Sequence, residues 1–215
     1  MFPVLFKGLD VKKFQCSVCE FAKHKRVIYP SSNKRTYVPL SLIHSDVWGP
    51  TTVPNISKAR WFIVFVNDCT RVMWLVFMKN EVNTIFPNFY NMISTQFGVK
   101  IKRLRFDNAK DFFNQSLSNF FQQKRIIHES SCPYTPQQNG VDERKNGHLL
   151  AITRALFFHH NVPKHYWGET VLIATSLINR LPSQTLDSLN PMQLINKHNL
   201  QLNKKIYSLL KKETH

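Results

Sequence analysis

Acidic residues are scarce in this sequence: 13 Asp and Glu stand against 29 Lys and Arg, so the formal net charge of the 215 residues is +16. This excess predicts a polyanionic partner, either nucleic acid or an anionic membrane surface, although a solvated lysine-rich surface would produce the same count. No apolar run approaches the roughly 20 residues that cross a bilayer, which excludes an integral membrane protein. The first residues do not resemble a signal peptide either.

Cysteine is scarce as well, with four residues, of which Cys16 and Cys19 form a C-x-x-C pair. So few cysteines do not make a secreted disulfide framework, and they favour a reducing compartment in which the thiols bind metal or pack in the core. A hydrophobic fraction of 43% and 17 Phe residues exclude a disordered chain. The length suits one domain with short appendages.

The order of the predicted elements is typical of an α/β domain with a mixed sheet. Apolar and β-branched runs predict the strands, and apolar residues at spacings of three and four predict the helices. A polar, basic segment, residues 1–37, precedes the core, and a polar, basic tail, residues 183–215, follows it. The core, residues 38–182, contains predicted strands over 40–46, 61–66, 72–78, 99–106 and 125–128, and predicted helices over about 81–97, 117–121, 139–159 and 164–181.

Three of the few acidic residues lie where predicted elements meet. Asp46 ends the first strand, Asp107 ends the fourth, and Glu143 lies in the first turn or two of a long helix. Side chains at strand ends of α/β sheets face the crevice in which ligands bind. Carboxylates from three elements suit Mg²⁺ or Mn²⁺, and two such ions about 3.5–4 Å apart catalyse in-line displacement at phosphorus. Taken singly, each acid is more often an ordinary surface residue.

Three sequence blocks around these acids resemble the signature blocks of copia-type retrotransposon integrases. The blocks are HSDVWGP at 44–50, FDN at 106–108 and TPQQNGVDERKN at 135–146, and 35 residues separate Asp107 from Glu143, the spacing of the D,D-35-E triad of that family. The resemblance covers about residues 14–192. It implies a ribonuclease H-like fold, with a mixed five-stranded sheet flanked by helices. It also suggests that the chain is a fragment of a Gag-Pol polyprotein containing the integrase catalytic core.

The resemblance implies a catalytic and metal-binding triad of Asp46, Asp107 and Glu143, which holds two Mg²⁺ or Mn²⁺ ions. Enzymes of this family are polynucleotidyl transferases that trim the 3′ ends of element DNA and join them to target DNA, and they work as multimers. We therefore expect DNA and further copies of the chain as partners, no membrane, and a nuclear location for a functional protein. The expected DNA contacts are Asn108, Arg144, Lys145, Lys102 and Arg105.

Some residues depart from the family pattern. Cys16 and Cys19 match the second half of an N-terminal His-His-Cys-Cys zinc module, but no histidine precedes His24. We therefore interpret residues 1–37 as an incomplete remnant of that module, a vestigial half-site without stable zinc. Asp142 stands where the family commonly has Ala, and it adds a negative charge beside Glu143.

Two other functions are compatible with these residues. The chain would be a DNA-binding relic if catalysis has been lost, which the incomplete zinc module favours and the intact triad does not. A ribonuclease H-like nuclease would share the metal site but prefer an RNA–DNA hybrid. Convergence of the three carboxylates on one metal site distinguishes an enzyme from an unrelated binding protein, and strand transfer distinguishes an integrase from a relic.

Overall fold

Five strands form a mixed sheet in the order β3-β2-β1-β4-β5. The computed structural model describes residues 35–79, 84–106, 115–130, 140–198 and 200, which belong to one compact unit, residues 33–215. In that unit β1 pairs antiparallel with β2 and β2 with β3, whereas β1 pairs parallel with β4 and β4 with β5. The strands are β1 (Leu42–Trp48), β2 (Trp61–Asn67), β3 (Met73–Met78), β4 (Arg103–Phe106) and β5 (Ile127–Ser130).

Five α-helices accompany the sheet among the described residues. The element order matches the predicted order, and the fold class predicted from the sequence is confirmed. Short 3₁₀ turns occur at Lys164–Tyr166 and Gln184–Leu186. The helices are α1 (Ile85–Phe97), α2 (Gln115–Lys124), α3 (Gly140–His159), α4 (Trp167–Arg180) and α5 (Pro191–Lys197).

Alternation along the strands gives the sheet two apolar faces, each covered by its own helices. One face packs against α1 and α2, and its buried side chains include Phe65, Phe86, Phe89, Ile93, Leu104, Phe106, Leu117 and Phe121. The other face, called the site face below, packs against α3 and α4 through Phe62, Val64, Val66, Leu75, Leu149, Trp167, Val171 and Ile178. Because His44 pairs with Val66, and Asp46 with Val64, both polar residues of β1 lie on the site face.

The predicted hairpin and the first predicted helix are confirmed. The turn between β2 and β3 is held by Asn67, whose Oδ1 accepts from Leu40 N at 3.1 Å and whose Nδ2 donates to Thr70 Oγ1 at 2.8 Å. Helix α1 ends at Gly98, which adopts φ 64° and donates its backbone N–H to Ser94 O. A glycine suits this end because the left-handed conformation costs it nothing.

The edge strand β3 is fastened by a buried amide of α4. Asn179 accepts from Met73 N at 2.9 Å and donates to Met73 O at 2.8 Å, so its side chain continues the ladder of the sheet beyond the last strand. Asn179 is fully buried and Met73 nearly so. Without this amide, the outward-facing N–H and C=O of Met73 would be buried without a partner, which proteins avoid.

The first strand, predicted over 40–46, runs over Leu42–Trp48, so Asp46 lies two residues before its end. Two further predicted strands have different bounds because of turns. The strand predicted over 99–106 starts at Arg103, because the chain first turns around Ser41, whose carbonyl accepts from the N–H groups of Lys102 and Arg103. The strand predicted over 125–128 runs instead over Ile127–Ser130, since Arg125 takes a left-handed φ of 55° in the turn after α2. Both errors arise at turns that local apolar pattern does not reveal.

The C-terminal segment predicted as a tail contributes to the fold over its first part. Asn190 caps α5 by accepting from Gln193 N at 2.7 Å, and the Gln193 side chain accepts from Asn190 N in return. Ile195 is fully buried and belongs to the core that contains α1 and α2. Residues 1–34 and 201–215 lie outside the described residues, so the zinc-module remnant remains a prediction. Across the described ranges, no helix is both long and apolar enough to cross a membrane.

Candidate active site

Asp46 lies near the end of β1 on the site face, where an amide of α3 holds its carboxylate. Nδ2 of Asn146 donates to Oδ2 of Asp46 at 2.6 Å, although the two residues are 100 positions apart in the chain. Both side chains are half-buried. A hydrogen bond to a charged acceptor is short and about twice as strong as one between neutral groups. This bond therefore fixes the carboxylate and joins the first turns of α3 to the sheet.

The backbone brings together the chain segments that contain the three predicted acids. Ser45, which precedes Asp46, pairs with Phe106, the last residue of β4, and Asp107 follows directly in the sequence. Helix α3 begins at Gly140, so position 143 falls in its first turn, as predicted, one turn before Asn146 on the same helix face. Asp107 and Asn108 lie outside the described residues, as do Cys16 and Cys19, and the Glu143 side chain is not described. Their roles remain predictions.

A buried charged cluster next to Asp46 was not anticipated from the sequence. Asp68 Oδ1 lies 3.1 Å from His44 Nε2 and 2.8 Å from Arg71 Nη1, and its Oδ2 accepts from Thr36 N at 2.7 Å. Burial alone would raise the pKa of Asp68, but the bonds from His44 and Thr36 and the Arg71 charge hold that pKa well below its usual range. The carboxylate is therefore ionised and ties β1 to the turn after β2.

The two basic residues that follow Glu143 differ in their surroundings. Arg144 is exposed on α3, which is compatible with a phosphate contact. Lys145 is half-buried, and its pKa is lowered first by burial and then by the charge of Arg71. A lysine that remains charged in this position gains from a nearby anion, since burial disfavours an unpaired charge. The DNA contacts expected of both residues remain predictions.

The predicted contact Arg105 has an ion-pair partner that sequence reasoning missed. Arg105 and Arg103 both donate to Glu129 on the neighbouring strand β5, while Lys102 is exposed just before β4. Burial alone would raise the pKa of Glu129, but the hydrogen bond and charge of Arg105, together with Arg103, lower it overall. The signal available in the sequence was the alternation of basic residues at 103 and 105, which places both on one face of a strand.

The donor set predicted for a metal ion fits Mg²⁺ or Mn²⁺ by its chemistry. These hard ions prefer carboxylate oxygens, and Asp46 offers a carboxylate that the neutral amide of Asn146 orients. Within the described ranges, no group of three or more His, Cys, Asp or Glu residues is assembled that could hold a metal. Two of the three predicted ligands have side chains outside that description.

Comparison with known proteins identifies the relatives of this chain. It is 35% identical over 182 residues to the retrovirus-related Pol polyprotein from transposon TNT 1-94 of Nicotiana tabacum, an alignment that covers 84% of the chain and 14% of the relative. The Pol polyproteins from transposons RE2 and RE1 of Arabidopsis thaliana are each 34% identical over 184 residues, covering 85% of the chain and 12% of the relative. The homologues of this chain are therefore retrovirus-related Pol polyproteins of copia-type transposons. No protein-family model matches it.

Solved structures place this retrotransposon Pol segment in the integrase fold. A chain of the simian T-cell lymphotropic virus intasome superimposes with a TM-score of 0.63 at 18% identity, covering 84% of this chain and 63% of that one. The HTLV-2 integrase catalytic core domain, solved with magnesium in a trimeric form, gives a TM-score of 0.54 at 18% identity and covers 74% and 99%. The fold is therefore that of a ribonuclease H-like integrase core, as the resemblance implied. The chain spans 12–14% of the length of its Pol relatives.

Proposed function

We propose that this chain is the catalytic core of a retrotransposon integrase, which processes DNA 3′ ends and transfers them to target DNA. The observation that carries the proposal is the Asn146–Asp46 hydrogen bond, which joins the start of α3 to β1, at the position where β1 pairs with the end of β4. Positions 46 and 143 of the D,D-35-E motif thus lie on two elements that meet, and position 107 directly follows in sequence the strand that pairs with β1. Sequence spacing alone predicts this meeting but does not require it.

We propose that Asp46, Asp107 and Glu143 together hold divalent metal ions. Magnesium in the solved HTLV-2 core supports this choice of ion. When bound, two such ions supply charge stabilisation for in-line displacement at a phosphodiester. The contribution of Asn146 is to keep one carboxylate of this set in a single orientation, and exposed Arg144 is available to hold a phosphate beside it.

DNA and further copies of the same chain are the proposed partners. The net charge of +16 favours a polyanion, and the neighbour from an intasome supports DNA. Exposed apolar side chains at Ile173 and Leu177, which share one face of α4, and at Leu181, which directly follows the helix, support self-association. The HTLV-2 core was solved in dimeric and trimeric forms. We further propose that the protein acts in the nucleus, where chromosomal target DNA lies.

Strand transfer of a labelled DNA end in the presence of Mn²⁺ tests the proposal. We expect the full chain to join the end to target DNA and Asp107→Asn to give no product. Asp187→Asn is the matched control, because it removes one negative charge from an exposed side chain that Arg35 approaches at 3.9 Å. Equal product from wild type and Asp107→Asn would overturn the triad. Salt-dependent DNA binding without any product would support the relic instead.

A further inference from the structure

Two arginines and one glutamate form a charged group on the site face of β4 and β5, called the Arg fork below. Nη1 of Arg103 donates to Oε1 of Glu129 at 3.1 Å, and Nε and Nη2 of Arg105 donate to Oε2 at 3.0 and 2.6 Å. The side chains of Arg103, Arg105 and Glu129 are 37, 31 and 24% exposed. The Arg fork is thus held by internal bonds while one side remains open to solvent.

The stoichiometry of the Arg fork leaves it able to bind a second anion. One carboxylate offers about four lone-pair sites, whereas two guanidinium groups carry about ten N–H donors, so Glu129 alone does not use the binding capacity of both arginines. The group has a net charge of +1. A guanidinium that is already oriented also loses less side-chain entropy when it binds a phosphate.

The position of the Arg fork relates it to the candidate active site. Arg105 pairs in register with His44, and Asp46 lies two residues further along β1 on the same face. Standard strand spacings place the Cα atoms of Arg105 and Asp46 about 8 Å apart. A phosphate bound by the Arg fork would therefore belong to a DNA strand that passes directly beside Asp46.

Exposed basic residues surround the start of the same two strands. They increase the local positive potential but have no described bonds that would orient them toward one phosphate. The Arg fork differs from them because its geometry is fixed by three hydrogen bonds. The exposed residues are Lys100, Lys102, Lys124 and Arg125.

We propose that Glu129 is a positioning residue for DNA binding. It holds Arg103 and Arg105 in place, so that the Arg fork binds one phosphodiester of the DNA strand that reaches Asp46. The inference rests on the proposed function, since it assumes that DNA binds at this face. Arginine forks match phosphate oxygens through paired N–H donors. A negative charge at position 129 would by itself repel DNA, so any benefit of Glu129 to DNA binding must come from the geometry that it imposes.

The charge of Glu129 should weaken DNA binding, whereas the geometry that it imposes on the two arginines should strengthen it, so removal of the charge is a decisive test. Fluorescence anisotropy measures the Kd of the full chain for a labelled DNA duplex over a series of KCl concentrations. For Glu129→Gln we expect a Kd about three- to tenfold higher than that of wild type, and a salt dependence shallower by about one unit of slope, as for the loss of one phosphate contact. The control Asp187→Asn also removes one negative charge, and we expect its Kd to be unchanged or slightly lower.

A second variant separates geometry from charge. Arg105→Lys keeps the positive charge but removes the planar fork, so we expect it to weaken binding as Glu129→Gln does. Urea unfolding of both variants identifies any loss of fold. If Glu129→Gln and Arg105→Lys bind DNA as tightly as Asp187→Asn, the inference is overturned while the proposed function stands. If wild type shows no salt-dependent DNA binding, the proposed function itself fails, and the Arg fork with it.

Discussion

Truncation of Asn146 is predicted to weaken the binding of divalent metal while leaving the fold intact. Nδ2 of Asn146 lies 2.6 Å from Oδ2 of Asp46, and in Asn146→Ala this donor is absent. Groups that orient a metal-ligating carboxylate typically contribute about 10- to 100-fold to metal affinity. Since Asn146 is only half-buried, a small side chain at this position opens no large cavity in the core.

The expected effect can be expressed as a change in stability. A metal ion that binds only the folded chain stabilises it by RT ln(1 + [M]/Kd), which is about 2.7 kcal/mol at a concentration of 100 Kd. At the same concentration, a site weakened tenfold gains about 1.4 kcal/mol, and one weakened a hundredfold gains about 0.4 kcal/mol. The stabilisation by Mn²⁺ should therefore fall by about 1.3–2.3 kcal/mol in Asn146→Ala.

Urea unfolding with Mn²⁺ and with EDTA measures this difference without any need for enzymatic activity. His148→Ala is the matched control, because His148 is exposed on the same helix two residues later. We expect the control to gain as much stability from Mn²⁺ as wild type does. The same gain in Asn146→Ala would refute the positioning role of the amide, and no gain in wild type would refute the metal site.

Three further predictions concern the fold. Asn179→Ala leaves the buried N–H and C=O of Met73 without partners, at about 1–3 kcal/mol each, so urea unfolding should show a loss of about 2–6 kcal/mol. A loss below about 1 kcal/mol would contradict the role of this amide in holding β3. The pKa of Asp68 is lower in the folded chain than in the unfolded chain, where it is near 4, so the carboxylate stabilises the fold fully above about pH 4 and less as the pH falls below that value. The free energy of unfolding of Asp68→Asn should therefore depend less on pH between about pH 4 and 2 than that of wild type. Burial raises the pKa of the Cys69 thiol, so maleimide should label this residue much more slowly in the native chain than in urea, as peptide mass spectrometry would measure.

The pattern of apolar residues along the sequence predicts the elements whose contacts join residues close together in the chain. The hairpin of β2 and β3 follows from two aromatic and β-branched runs around a short polar turn, and α1 follows from apolar spacing ended by Gly98. The start of β4 depends on Ser41, and the bond between Asn179 and Met73 joins residues 106 positions apart. Contacts over such separations leave no periodic trace in the sequence.

The candidate site was predictable to the extent that a motif identifies it. The HSD block located Asp46, and the third block located the helix that α3 proves to be. Asn146 lay inside that block, but nothing in the sequence identified Asp46 as its partner. Glu129 had no motif at all, and only the observed register, in which it pairs with Arg105, gives it a role. The parallel strands β4 and β5 are connected through α2 and not by a tight turn, so no local turn in the sequence specifies their register.

The positions of the described acids leave the excess of positive charge on the surface, where it can attract a polyanion. Asp68 is ionised inside the fold against His44 and Arg71, and Glu129 is shared between two arginines on the sheet. Neither acid neutralises the exposed lysines, so the electrostatic potential at the surface remains positive. Long-range attraction of DNA depends on that potential. Asp46 accepts a hydrogen bond from the neutral amide of Asn146. A neutral amide orients a carboxylate without adding a positive charge beside it, and carboxylate oxygens are the ligands that Mg²⁺ and Mn²⁺ prefer.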